Sequence, residues 1–226
     1  MRGRDARRDP FNGGMVIAID GPAGAGKSTV ARGVARALGF TYLDSGAMYR
    51  CVALAALDRG IELDDGERLG EMAWGLVIDF DGDSIRLDGK PVEGRIRSPE
   101  VTVAASRVSV HPQVRQAMVK RQRELIAAGN YVAEGRDIGT VVSPDSPLKV
   151  FLTASEDERA RRRAGETGQS VADVRQALED RDRRDRGRAH GALREAGDAV
   201  SLDTTDLTPD QVVERIVELA RENGVA

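Results

Sequence analysis

The chain has 226 residues, with 34 Lys and Arg against 37 Asp and Glu, a formal net charge of −3, and 40% hydrophobic and 31% charged residues. That length supports one well-packed core with room for an inserted piece, and the composition excludes disordered and fibrous classes. The small negative charge argues against a general nucleic-acid binder, whose affinity comes mainly from neutralised phosphates.

Cys51 is the only cysteine, so no intrachain disulfide can form, and a reducing, cytoplasmic setting is expected. No stretch approaches the roughly eighteen consecutive apolar residues of a membrane span. The opening "MRGRDARRDPFNGG" carries four arginines with no apolar run behind them, so residues 1–14 read as a tail outside the fold rather than a secretory signal.

From residue 15 the elements follow one another closely. "MVIAID" (15–20) is short and almost wholly apolar, as a strand buried on both faces should be. A helix is predicted over Lys27–Leu38, where Val30, Val34 and Leu38 share a face and Gly39 ends it. The middle breaks the pattern: "GLVIDFDGDSIRLDGKPVEG" (75–94) holds short strands punctuated by Asp-Gly hairpin signals, between helical stretches near 65–74 and 99–128. Residues 61–110 therefore read as an insertion carrying a small antiparallel sheet, and 15–60 with 111–226 as the core. "YVAEG" (131–135), "LKVFLTA" (148–154) and "AVSLDTT" (199–205) are further strands, separated by helical segments at 156–163, 171–184 and 209–224. Such alternation predicts an α/β fold of three layers, with a central parallel sheet covered on both faces. Internal repeats and low-complexity tracts are lacking.

Between the first strand and helix stands "GPAGAGKS" (21–28), the phosphate-cradling pattern G-x-x-x-x-G-K-S in the context it requires. Gly21, Gly24 and Gly26 let successive backbone N–H groups turn toward one centre, and the helix N-terminus adds positive potential. Lys27 is placed to reach β- and γ-phosphates, and the Ser28 hydroxyl to join the shell of a Mg²⁺ ion. With Pro22, Ala23, Ala25 and Thr29 these residues make the expected ATP site. Lys27 also stands out by rarity, being one of four lysines against thirty arginines.

The loop alone does not separate a kinase from a switch, motor or transporter. No Asn-Lys pair of a guanine-specific switch occurs, whereas Arg159 to Arg188 holds ten arginines and six acids. Half of these are accounted for by a solvated, salt-bridged surface. Residues 155–198 contain no aromatic for base stacking, which speaks against nucleic acid. "RRRAGETGQS" (161–170), with two glycines between helices, suits a hinged lid near 159–170 that brings positive charge to a transferring phosphoryl group and excludes water. This favours a small-substrate kinase. His111 and His190 sit in no motif calling for a catalytic base and are expected to be structural.

Six stretches, "IAIDGPAGAGKST", "LDSGAMYR", "AASRVSVHPQVRQAM", "AEGRDIGTVV", "EDRDRRDRGRA" and "SLDTTDLTPDQVVERI", occur in this order from residue 17 to 216. Together they resemble the bacterial cytidylate kinases, a branch of the nucleoside monophosphate kinases. The resemblance implies a P-loop kinase whose insertion binds the acceptor, acting on ATP and CMP or dCMP with Mg²⁺. No sticky apolar patch or coiled coil is readable, so a monomer is expected, and the charge and the lack of an apolar span speak against nucleic-acid or membrane partners. By the same resemblance Ser45 and Arg50 contact the acceptor nucleotide, Arg136 its phosphate and Asp137 its base. A carboxylate accepting from the exocyclic amine and an arginine donating to N3 or O2 would read the cytosine edge, roles that Asp137 and Arg115 fit, with Ser106 as a third contact. The resemblance further puts Asp185 on the sugar hydroxyls, Arg188 on the acceptor phosphate, and Arg181 and Arg184 near the transferring group. Ser45 is also expected to cap the second helix. Beyond Ser28 no strand-borne aspartate for Mg²⁺ stands out; Asp44 and Asp137 are open through water. Two rivals stay open: a kinase for another acceptor, and a regulatory nucleotide-binding module that turns over slowly.

Overall fold

The computed structural model describes residues 14–82 and 84–225. The expected tail therefore lies, all but Gly14, outside the described residues. Strand β1 (Val16–Asp20) is buried along its whole length and leads through the glycine loop into α1 (Lys27–Leu38), which stops at Gly39 in the left-handed conformation. Then come β2 (Thr41–Asp44), α2 (Ser45–Asp58) and α3 (Gly66–Gly75). The middle holds β3 (Ile78–Asp81), β4 (Ser84–Leu87), β5 (Lys90–Pro91), the single turn α4 (Glu93–Ile96), α5 (Pro99–Val108) and α6 (Pro112–Ile126). After β6 (Tyr131–Gly135) a π-type turn (Ile138–Val142) precedes β7 (Leu148–Thr153). Helices α7 (Glu156–Thr167) and α8 (Val171–Arg186), strand β8 (Val200–Asp203) and helix α9 (Pro209–Glu222) complete the chain.

Five strands form one parallel sheet in the order β2-β6-β1-β7-β8, with three layers as the alternation predicts. Side chains alternate across β1. Ile17 and Ile19 pack with Val30 and Val34 of α1 and Val212 and Ile216 of α9. Val16 and Ala18 join Leu43, Ala133 and the apolar sides of α2, α5 and α6 on the other face. The antiparallel sheet β3-β4-β5 sits in the 61–110 segment, and its Ile78, Ile85 and Leu87 belong to that same second cluster. From β1 the chain turns to β2 on one side; later the step from β6 to β7 passes back across the end of β1. The carboxyl ends of β6, β1 and β7 thus frame the crevice where open α/β sheets bind ligands.

Four details differ from the sequence reading. Strand β2 was not anticipated: it is four residues at a sheet edge, and only Leu43 and Asp44 are buried. The helical stretch 99–128 is two helices, because Pro112 disfavours helical backbone at His111, whose ψ is 124°. The cap of α2 is Asp44, whose carboxylate accepts from Ala47 N at 2.8 Å, and Ser45 is the first helical residue. Finally, 161–167 continues α7, with Gly165 inside the helix, so the connection to α8 is only 168–170. That pair of helices packs Ala160, Ala164, Val174 and Leu178 over Ala23 of the glycine loop.

Candidate functional site

The glycine loop is bounded by two close approaches. A Cβ on Gly21, at φ 151°, would overlap the Leu152 carbonyl oxygen of β7. Gly26 begins α1 in the left-handed conformation with no side-chain cap, so the helix's first N–H groups face the loop's centre. Lys27 is buried and folds back to donate from Nζ to the Pro22 carbonyl at 2.7 Å. Burial, with the positive charge of Arg136, pushes its pKa down to about 7. Ser28 and Thr29 are exposed at the helix start. Ala23 is held from both sides: its N–H goes to Asp182 Oδ1 at 3.2 Å, and its carbonyl accepts from Arg159 Nη1 at 3.0 Å. Arg159 and Asp182 are themselves a buried ion pair at 2.6 Å, so α7 and α8 are pinned to the loop.

Beside Lys27 lies a group of arginines around one carboxylate. Asp185 is 1% exposed, accepts from Arg188 Nη2 and, at 2.8 Å, from Arg136 Nε, and has Arg181 Nε 4.0 Å away. Burial would raise its pKa, but Arg136, Arg188 and Arg181 hold it down at about 2. Three guanidiniums against one carboxylate leave two positive charges uncompensated, and Arg181 and Arg188 each present an Nε without a hydrogen-bond partner. Arg50 adds a further cation, pairing with Asp44 at 3.6 Å. Burial and the charge of Arg136 lower the Arg181 pKa to about 9, which still leaves it cationic at neutral pH. Arg184 is not part of this group: it is exposed, and its Nε donates to the Asp180 carbonyl of its own helix at 3.1 Å. Helix position does not explain the split, since 181 and 184 are only about 60° apart around α8; Arg184 differs in that its side chain folds back along its own helix into water.

Arg188 Nη2 also reaches Ser109 Oγ at 2.8 Å. One step further, Arg115 of α6 and Asp137 form an ion pair, both buried, with the Arg115 guanidinium 5.5 Å from the Tyr49 ring centre. Burial raises the Asp137 pKa, against the pull of Arg115. Arg115 Nη1 and the buried Ser106 Oγ lack hydrogen-bond partners. Buried polar atoms without partners are uncommon and costly, and they mark places a ligand can satisfy. Ser45 Oγ is engaged, donating to the Glu134 carbonyl at 2.6 Å.

Glu134, at the end of β6, was missed in the sequence. Its carboxylate is buried and accepts from Tyr42. Burial and then Asp44 push its pKa up, while Lys27 and hydrogen bonds from Ser28 and Tyr42 pull it down. It faces Ser28, and the hydroxyl and carboxylate offer the hard oxygen donors that suit Mg²⁺. As a glutamate it departs from the strand-borne aspartate usual in phosphate-loop proteins, although "AEG" places it at a strand's carboxyl end. Asp44 and Asp137 are spent on a cap and on Arg115. Asp20, Tyr42, Ser109, Arg159 and Asp182 were also missed, because their contacts lie 23 to 159 residues apart in the chain. His111 Nε2 bonds the Leu63 carbonyl at 2.8 Å, and His190 is exposed.

Comparison with known proteins bears on the family and the fold. A family model described as cytidylate kinase matches residues 17–222. A cytidylate kinase of Caldanaerobacter subterraneus subsp. tengcongensis is 49% identical over 212 residues, covering 92% of this chain and 95% of that one. One from Klebsiella pneumoniae is 45% identical over 216 residues, again covering 92% and 95%. Among solved structures, a gluconokinase of Sinorhizobium meliloti superposes with a TM-score of 0.52 at 16% identity, covering 93% of this chain and 94% of that one, a likeness of fold.

Proposed function

The chain belongs to the cytidylate kinase family, and on that premise we propose how its residues carry the reaction: it transfers the γ-phosphoryl group of ATP to CMP and dCMP, giving ADP and CDP or dCDP. Carrying the residue assignment is the Asp185 group, two uncompensated positive charges set between Lys27 and the Arg115–Asp137 pair.

The N–H groups of 24–28 cradle the β- and γ-phosphates, and Lys27 leaves the Pro22 carbonyl to pair with them. Ser28 and Glu134 would hold the Mg²⁺ that travels with ATP, and the ion would supply positive charge to offset that of the phosphates. Few protein ligands are needed, because Mg²⁺ keeps water and phosphate oxygens; among the described residues no set of three or more His, Cys, Asp or Glu is gathered for a metal. Arg50, Arg136 and Arg188 bind the acceptor phosphate, and Arg181 stabilises the charge spreading over the transferring group. The acceptor oxygen is already anionic at neutral pH, so no general base is required. Asp137 accepts from the cytosine amine, Arg115 donates to N3 or O2, and Ser106 adds a hydroxyl; uracil would set a carbonyl against the carboxylate. Residues 61–110 form the acceptor-binding insertion, and α7 with α8 the lid that closes over ATP and excludes water. Asp185 orients its arginines and meets the sugar hydroxyls.

The reading takes the enzyme as a cytoplasmic monomer with no nucleic-acid or membrane partner. The net charge of −3 and the buried lone Cys51 support it. Among the described residues no helix is long and apolar enough to cross a membrane. The test is coupled ADP release with Mg·ATP and CMP, dCMP, UMP, AMP or GMP. Strong stimulation by CMP and dCMP with a weak response to UMP is expected; a flat response across all five would refute nucleotide phosphorylation.

A further inference from the structure

The turn Ile138–Val142 begins directly after Asp137. Like any helical start, it leaves its first N–H groups without partners inside the turn. The residue at its cap position is an aspartate, the side chain best suited to accept those N–H groups locally. Asp137 makes no such bond; its carboxylate is turned to Arg115. The first two N–H groups are taken instead by Asp20, with Ile138 N 2.9 Å from Oδ1 and Gly139 N, one of the two that a cap residue reaches, 2.7 Å from Oδ2.

Asp20 is the last residue of β1 and lies opposite Gly135 of β6, so the chain passes it immediately before reaching Asp137. The approach is tight: a Cβ on Gly139 would stand 3.4 Å from Asp20 Oδ2 and 3.2 Å from Lys149 Cδ. Both oxygens of a buried carboxylate are thus given to backbone donors, in charge-assisted bonds stronger than neutral ones.

We infer that Asp20 is a positioning residue for base recognition: by capping the 138–142 turn from the neighbouring strand, it keeps Asp137 from capping its own turn and presents that carboxylate to Arg115 and the cytosine edge. The inference rests on the proposed reading of Asp137 as the base-reading group. It also ties the two halves of the site to one point, because Gly21, where the phosphate cradle starts, is the next residue. The arrangement works against burial, which pushes the Asp20 pKa up to about 6 despite both N–H bonds. A buried carboxylate kept at this cost is more simply explained by what it positions than by the stability it adds.

The test compares kcat/KM for CMP and UMP in Asp20→Ala, Asp20→Asn, Asp137→Ala and the Asp20→Ala/Asp137→Ala double variant, with Mg·ATP affinity by calorimetry and Tm for each. In Asp20→Ala both N–H groups are left open and Asp137 falls back onto that of Gly139. The CMP-to-UMP ratio then drops about tenfold to a hundredfold, the range for losing a hydrogen bond to a charged group, while ATP affinity holds within about twofold. Asp20→Asn keeps the shape and one acceptor oxygen, so it folds and gives an intermediate ratio. In the Asp137→Ala background Asp20→Ala changes the ratio no further. If Asp137→Ala leaves the ratio intact, the base reading itself fails. If Asp137→Ala collapses the ratio while both Asp20 variants keep it, or if the Asp20 variants weaken CMP, UMP and ATP alike, the positioning role is overturned.

Discussion

Replacing Asp185 by asparagine removes the charge that holds three arginines together without changing the side chain's shape. The Asp185 pKa stands at about 2 against an ordinary 3.8. A difference of a little under two units corresponds to about 2 kcal/mol of folding free energy at neutral pH. The folded pKa is depressed, so this contribution is complete above about pH 4 and is lost as pH falls through about 2. Asparagine forfeits it and also leaves Arg136, Arg181 and Arg188 facing one another, so the full loss is about 2–4 kcal/mol. Urea denaturation at pH 7 measures it, with and without sulfate. Sulfate, seated among the arginines, restores part of the lost stability in the variant and adds less to the unaltered protein. A loss under about 0.5 kcal/mol, or one that sulfate leaves unchanged, would refute the picture of an anion site held by a single buried carboxylate.

Three other outcomes follow from the same geometry. Lys27, with its pKa lowered from 10.5 to about 7, is largely neutral in the free protein at pH 8, so its contribution to stability grows as pH rises between those values. Binding Mg·ATP at pH 8 therefore takes up close to one proton, seen as a buffer-dependent enthalpy in calorimetry; no uptake would mean the free lysine is already charged. Ser106→Ala leaves Tm unchanged or higher, because the buried hydroxyl has no partner, yet raises the KM for CMP about threefold to tenfold. Arg184→Ala keeps kcat within about twofold, since the side chain is exposed and its Nε is given to its own helix; a hundredfold fall would place it in the site after all.

The parts legible in the sequence are those whose chemistry is contiguous. Residues 16–38 specify strand, phosphate loop and helix through neighbours alone, because burial of β1, glycine torsions and the α1 stripe are local properties. The same holds for β6, β7 and α9, whose periodicity or apolar runs leave little choice. Helix α8 marks the boundary. Its sequence shows an arginine-rich helix but not which of its side chains turn inward, and 181 and 184, only about 60° apart, are not separated by periodicity. Contact with the glycine loop and with Arg136 settled that, by burying Asp182 and Asp185 while Arg184 folds back along its own helix. Likewise, the resemblance offers Asp137 to the base but does not say what keeps an aspartate after "YVAEGR" from capping its own turn. That aspartate is released from the capping role by Asp20, 117 positions earlier, because the parallel pairing of β1 with β6 brings the two strand ends side by side. The sequence by itself thus determined that this protein cradles a nucleoside triphosphate, since that depends on residues adjacent in the chain. Which side chains gather around Asp185 was decided by tertiary structure, since strands and helices far apart in the chain must first meet before their charges can balance.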